Sequence, residues 1–508
     1  MSNKSFLSPG DEDFVFQEAA SQGVYLRKLA GFELSFMRGS ERSLKSGSNG
    51  VGTLHVTIAK PHMFADVQKW AREAWVRLRY SVPLMACTTH RSLFANDDYF
   101  LRYAVPRSQA DVGTWLQSTV SFSENPETQS NLQHRRSATL ASYVDPPRYL
   151  VDLFICPAAN AEGWLISVKY AHHAFDGRGS TYVTARFLDH FSDVVEGRTY
   201  TEPQWGREVE RLPPAAAAIV AGGKVLKDMR RVEKPYQDYR FLREQMAWIP
   251  ERNAEGSIAA TIYVCSPATA QLKQVAKLSC SATVTTVITA LAILAQVEAC
   301  LTLARRKGDL AEVAKQYSKS QYYVLAANAA DRRMSMAFGG DTALLAMESS
   351  SALFSMETIR RIVSIDTENS TVISPAAVIE RQVTSGSAAR IAYYRQMADT
   401  PSLFLFTSLG NSHELVFRKH MVPRGQAVVL KDSVGHGNNC AGSFLGMADE
   451  VRGQLRIHFN SGGGVDGADY MRLFVSTMTA YLDWFVETKG ASTIEFFDEI
   501  MPNREAKL

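Results

Sequence analysis

The run Tyr170-Ala171-His172-His173-Ala174-Phe175-Asp176-Gly177 puts two imidazoles just ahead of a carboxylate and a glycine. An imidazole, with an unperturbed pKa of about 6.5, is mostly free base at pH 7, so proton transfer is the first chemistry to consider. A nucleophilic serine would want a G-x-S-x-G elbow, which is missing here. Metal binding is not expected, because adjacent strand residues point to opposite faces and no third ligand lies near in sequence. Gly435-His436-Gly437 and the run from Ser461 to Gly467 are glycine-rich, yet neither joins a strand to a helix as a phosphate loop does. Walker A and G-x-G-x-x-G patterns are missing as well.

Period two separates the histidines. Trp164, Ile166, Val168 and Tyr170 share one face of the preceding strand-like run, and His172 continues that face toward an apolar interior if the strand extends so far. His173 falls with Leu165, Ser167, Lys169 and Ala171, the more polar side. Asp176 and Gly177 read as a tight turn, followed by a helix with Ser180 or Thr181 at its cap. A short turn between strand and helix holds a side chain firmly, as a general base requires.

The elements around this turn mix strands and helices. Val67, Trp70, Ala71, Ala74, Trp75 and Leu78 recur at helical spacing behind Asp66, read as an N-cap. The segments 148–157 and 164–172 read as strand, turn, strand. In the second half, 268–277 and 286–306 read as helices, the latter apolar nearly all round and hence central. In 453–460, Leu455, Ile457 and Phe459 alternate with Arg456 and His458 as in a half-buried strand. The segment 468–485 closes as an amphipathic helix with Met471, Phe474, Met478, Tyr481, Leu482 and Phe485 on its inner face. Loops are expected near residues 45, 130 and 213. The resulting division is a first lobe over 1–205, a crossover linker over 206–260 and a second lobe over 261–508.

Composition narrows the class. A chain of 508 residues exceeds one ordinary core, and 46% hydrophobic with 21% charged residues suits a globular protein. A net charge of +3 without a polybasic run argues against nucleic acid or a membrane surface. The N-terminal residues hold no apolar signal core. The most apolar window, 282–300, contains Gln296 and Glu298 and reads as a buried helix, so no membrane span is expected. Cys87, Cys156, Cys265, Cys280, Cys300 and Cys440 lack CxxC spacing and read as reduced core thiols of an intracellular enzyme.

His172-x-x-x-Asp176-Gly177 resembles the HxxxDG signature of the BAHD acyltransferases. These are kin to chloramphenicol acetyltransferase and to peptide-synthetase condensation domains, whose longer form is HHxxxDG. Only two residues separate His173 from Asp176, so the spacing nominates His172, in agreement with the alternation. The segment 281–296 is similar to the family's central helix, and 325–340 to its N-x-R-x-R stretch. The segment 404–412 stands where BAHD enzymes carry DFGWG, which is absent; that points away from the plant branch and toward a divergent fungal member.

The resemblance implies an α/β fold of two chloramphenicol-acetyltransferase-like lobes, each a mixed sheet with packed helices, with a channel at their interface. It implies an O-acyltransferase whose co-substrate is an acyl-CoA, first of all acetyl-CoA, with a small-molecule sesquiterpenoid alcohol as acceptor. His172 would be the general base. Asp176 would be structural, tying the loop to Arg332 or Arg333, and Gly177 would permit the turn. Ser408 would stabilise the oxyanion, with Gly410 and Asn411 beside the substrate. Thr283 would either line the channel or cap the central helix. No bound cofactor, metal, nucleic acid or membrane span is expected, and a monomer in the cytoplasm is. The terminal Ala506-Lys507-Leu508 resembles a peroxisomal address. Two other readings stay open: a free-standing condensation-type enzyme fed by a carrier protein, and a non-catalytic binding module on the same fold.

Overall fold

The computed structural model describes residues 15–29, 33, 36–37, 49–91, 99–138, 143–159, 162–215, 257–280, 283–311, 322–330, 347–355, 379–384, 404–410, 412–421, 426–437, 444–462 and 467–488. Asn411, Arg332, Arg333, Cys440 and Ala506–Leu508 lie outside them. Among these residues, two hydrophobic cores define two lobes, one built on residues 29–212 and one on residues 262–485.

The first lobe centres on a five-stranded sheet of order β14-β3-β8-β7-β6, formed by β3 (Asn49–Ile58), β6 (Val120–Phe122), β7 (Val151–Pro157), β8 (Trp164–Ala171) and β14 (Val428–Gly437). β14 comes from the second half of the chain and pairs antiparallel along the whole of β3, so residues 261–508 do not close on themselves. Phe417, Val428 and Leu430 accordingly join the first core. The smaller sheet β1-β2-β5-β4 is made by Gln17–Glu18, Val24–Lys28, Tyr99–Ala104 and Thr88–Arg91, numbered β1, β2, β5 and β4.

Helix α1 (Phe64–Ser81) is capped by Met63, and Asp66 stands at N3, accepting the Met63 N–H at 2.8 Å. The carboxylate still satisfies a backbone donor exposed at the helix start, but from inside the first turn. Helix α2 covers Gln109–Thr119. Where a loop was expected near residue 130, α3 covers Gln129–Ala138. Helix α4 covers Gly177–Val195 and is capped by Asp176, not by Ser180 or Thr181. Those two hydroxyls donate instead to the carbonyl of Gly177, at 2.9 and 2.7 Å.

The second lobe carries a seven-stranded sheet of order β12-β11-β10-β13-β15-β16-β9. Its strands are β9 (Ser257–Val264), β10 (Tyr322–Ala330), β11 (Met347–Ser355), β12 (Ile379–Thr384), β13 (Phe404–Gly410), β15 (Phe444–Val451) and β16 (Gln454–Gly462). The expected linker thus already ends in β9 at Ser257, and most of the segment 404–412, standing in the DFGWG place, is strand β13. Helix α5 (Ser266–Cys280) precedes α6 (Val284–Lys307), and α8 (Gly467–Glu487) packs along α6. Val287–Lys307 is apolar enough to cross a membrane, yet 94% of its most apolar window is buried, the position of a core helix. Its Glu298 accepts a hydrogen bond from the Tyr481 hydroxyl of α8 at 2.6 Å. Cys87, Cys156 and Cys300 are buried free thiols, whereas Cys265 is exposed at the end of β9 and is not a core residue.

Helix α7 (Ser412–Met421) links the lobes. Its Lys419 and His420 both donate to Asp189 of α4 at 3.0 Å. Burial would push the Asp189 carboxyl up, but these hydrogen bonds outweigh it and hold it at about 2.

Candidate active site

β8 is buried on both faces, which an argument from alternation alone does not foresee. It ends at Ala171, whose carbonyl accepts the N–H groups of Ala174 and Phe175, each at 3.1 Å. His172 therefore lies in the turn, one residue past the strand, and is only partly buried, while His173 is 0% exposed. The more enclosed imidazole is thus the one expected on the polar side. Strand alternation stops applying where the chain turns.

The His172 ring is fixed on three sides. Phe36 stacks on it at 4.5 Å between centroids with an interplanar angle of 12°, and Tyr170 stands edge-on at 6.4 Å. Nδ1 lies 3.0 Å from the Phe175 carbonyl. A carbonyl only accepts, so Nδ1 carries the proton and Nε2 holds the lone pair. Nε2 has no hydrogen-bond partner among the described residues. Desolvation lowers the pKa of this imidazole, and its backbone hydrogen bonds only partly offset that. It is a neutral base at pH 7, oriented and unoccupied at one nitrogen.

His173 is built otherwise. One nitrogen lies 2.8 Å from the Thr89 hydroxyl, Tyr143 packs edge-on at 5.6 Å, and Nδ1 is buried without a hydrogen-bond partner among the described residues. Desolvation, then the nearby His172 and Arg27, push its pKa down to about 3. Such a residue fills space as a neutral ring.

Asp176 is 2% exposed and accepts the Gly179 N–H at 2.6 Å, with its own carbonyl taking the Ser180 N–H at 2.9 Å. The carboxylate thus locks the start of α4 behind the histidine turn. Gly177 opens that helix without a positive φ. It lines a cleft between α4 and the β3–β14 pair. Tyr170, Gly52, Gly435, Phe417 and Met447 line the same cleft, which brings both halves of the chain together beside the histidine. Burial pushes the Tyr170 phenol up to about 12, partly offset by the Ser180 hydroxyl.

Of the other residues singled out, Thr283 sits exposed at the start of α6, where its carbonyl accepts the Val287 N–H at 3.1 Å, a capping position. Ser408 and Gly410 belong to β13, in register with Ala448 and Asp449 across a bulge. The sequence reading missed Phe36, the aromatic plate under the imidazole, which no spacing ties to residue 172. It also missed Gly50 and Gly52, and took Gly435 and Gly437 only as a run that is not a phosphate loop, although their period-two recurrence was a usable signal.

No protein-family model matches the chain, and no curated protein matches its sequence. Solved structures do. The trichothecene 15-O-acetyltransferase of Fusarium sporotrichioides aligns over 93% of this chain and 98% of its own, with a TM-score of 0.73 and 12% identity. The condensation domain of the monacolin K polyketide synthase aligns over 94% and 99%, with a TM-score of 0.60 and 10% identity. The polyketide synthase associated protein 5 of Mycobacterium tuberculosis aligns over 90% and 98%, with a TM-score of 0.55 and 13% identity. The chain has the two-lobed α/β fold of the chloramphenicol-acetyltransferase-like acyltransferases and condensation domains.

Proposed function

We propose that this protein is an O-acyltransferase that moves an acyl group from coenzyme A to the hydroxyl of a small-molecule alcohol, with His172 as general base. The observation that carries this reading is the setting of His172, whose Nδ1 lies 3.0 Å from the Phe175 carbonyl, a partner that can only accept and so leaves the lone pair on Nε2. In the reaction, Nε2 takes the acceptor's hydroxyl proton as that oxygen bonds to the thioester carbonyl carbon. The tetrahedral intermediate collapses with cleavage of the C–S bond, and the imidazolium returns the proton to the leaving thiolate. No covalent acyl-enzyme is needed, and a base so placed commonly contributes roughly 10²–10⁴-fold. Asp176 holds the turn, and Ser408 is the proposed oxyanion donor, with Gly410 and Asn411 beside the substrate. Arg332 or Arg333 is the proposed partner of Asp176.

The likeness to an acetyltransferase supports acetyl-CoA as a donor and a trichothecene-type alcohol, esterified at its 15-hydroxyl, as the acceptor. The test is to incubate the purified chain with acetyl-CoA and a trichothecene bearing a free 15-hydroxyl, and to read ester formation by mass spectrometry. Ester made by the wild type and lost in His172→Ala is the expected result. Turnover only with a carrier-protein thioester would move the protein to the condensation-type reading. Normal turnover by a folded His172→Ala would end the general-base assignment.

A further inference from the structure

One row of the first lobe's sheet lies just ahead of the histidine turn. In it Gly437 of β14 pairs with Gly50 of β3, Gly50 with Tyr170 of β8, and Tyr170 with Val151 of β7. A glycine inside a strand weakens it, and often marks the close approach of another group. Gly50 has no positive φ; what excludes a side chain there is the Tyr170 ring. A Cβ would stand 1.9 Å from Cζ and 2.1 Å from both Cε2 and the hydroxyl oxygen. Carbon atoms in contact stand roughly 3.5–4.0 Å apart. The phenol therefore leans across β3 and fills the place that residue 50 leaves.

From that place the ring reaches both sides of the turn. It meets the His172 ring at 77° with centroids 6.4 Å apart, while Phe36 covers the imidazole's face. Its hydroxyl meets that of Ser180 in the first turn of α4, and Ser180 donates in turn to the Gly177 carbonyl at 2.9 Å. One phenol thus spans the strand end and the helix start that bracket the histidine. The χ2 torsion of a histidine is broad by itself, so the packing around the ring must select its angle. Only near one angle does Nδ1 reach the Phe175 carbonyl. An imidazole free to turn would lose that contact, and the single tautomer with it.

We propose that Gly50 and Tyr170 are positioning residues for the general base: the glycine yields its place to the phenol ring, and the ring's edge holds His172 where Nδ1 meets the Phe175 carbonyl. The kinetic consequence rests on the acyl-transfer reading above; the spectroscopic one rests on geometry alone. The test is nitrogen-15 NMR of the histidine-labelled chain, with the His172 signals assigned by their loss in His172→Ala, alongside thermal melting and acyl-transfer kinetics. The wild type is expected to show one His172 tautomer, with the proton on Nδ1. Gly50→Ala, whose methyl must displace the phenol, and Tyr170→Leu, which lacks the ring, should each show both tautomers. Tyr170→Phe, which keeps the ring edge, should show one. In the first two variants kcat should fall at least about tenfold with KM little changed, as a misplaced base requires. Leucine lacks the atoms that a Cβ at residue 50 would strike, so Gly50→Ala with Tyr170→Leu should melt no lower than Tyr170→Leu alone. Two tautomers in the wild type or in Tyr170→Phe, one in folded Tyr170→Leu, or an unchanged kcat beside two, would overturn the proposal. Tyr170→Leu decides alone if Gly50→Ala does not fold. One tautomer in folded Gly50→Ala, or a double variant that melts lower, would remove Gly50 from it. The expected tautomers without any acyl transfer by the wild type would keep the positioning role and remove the transferase reading.

Discussion

His172 and His173 share a sequence position in all but one residue, and their surroundings separate them. His172 keeps a free Nε2 and a pKa lowered by desolvation, so the acid limb of kcat/KM is expected below pH 6.5. A limb centred above pH 7 would mean that another group titrates. His173 instead shapes stability. With a folded pKa of about 3 against about 6.5 unfolded, the unfolded chain takes up a proton between those values and the folded chain does not. Stability from this site is therefore complete above pH 6.5 and declines as the pH falls toward 3. A His173→Gln variant, with no ring to protonate, should show a flatter loss of urea midpoint from pH 7 to pH 4. Parallel slopes for variant and wild type would contradict this. The pairing of HxxxDG with a strand end made the candidate site legible, but which ring stays accessible was decided by Phe36, Thr89 and Tyr143, all distant in sequence.

At the level of single elements, caps and polar helices departed most from expectation. Asp176 caps α4 through its 2.6 Å bond from Gly179, and removing an N-cap carboxylate costs about 1 kcal/mol. Asp176→Ala is expected to lower the melting temperature as well as the transfer rate, whereas Asp176→Asn, still able to accept from Gly179, should keep most of the stability. Equal melting of Asp176→Ala and wild type would remove the structural role. Asp176 was passed over as a cap because the serine and threonine after it are equally good candidates by type; only the geometry shows their hydroxyls turned back to Gly177. Helix α3 was missed for a different reason. Its contacts to the sheet are mostly polar, Gln133 to the Val51 carbonyl at 2.9 Å, Gln129 to that of Thr53 at 3.0 Å and Arg136 to Asp152, with Leu132 buried against Cys156 and Leu165. A helix docked by polar side chains and a single leucine leaves no hydrophobic period to read. The central α6 and the closing α8 were legible because apolar burial along their length is what positions them.

Across the whole molecule, the lobes are tied by a strand exchange that leaves a mark on β16. Arg456, expected on the wet face of a half-buried strand, is 1% exposed. It forms a bidentate pair with Asp449 of β15, both contacts at 3.0 Å, and reaches Asp432 at 3.2 Å and the Ser433 carbonyl of β14. The covering strand crosses from one lobe to complete the other's sheet, so nothing local to residues 454–462 announces that this face is closed. A guanidinium at such a place serves as a joint, since its five donors reach two strands at once. Removing one partner of a buried pair leaves the other charge without compensation and costs about 3–5 kcal/mol, while an apolar replacement of both is often nearly neutral. Arg456→Met should therefore lower the urea midpoint strongly, and Arg456→Met with Asp449→Leu should recover more than half of the loss. Because β14 also floors the cleft beside His172, the single variant should lose acyl transfer at urea concentrations where the wild type is still active. A single variant as stable as the wild type, or a double variant no better than the single, would show that the lobes are held together by apolar packing and not by this arginine.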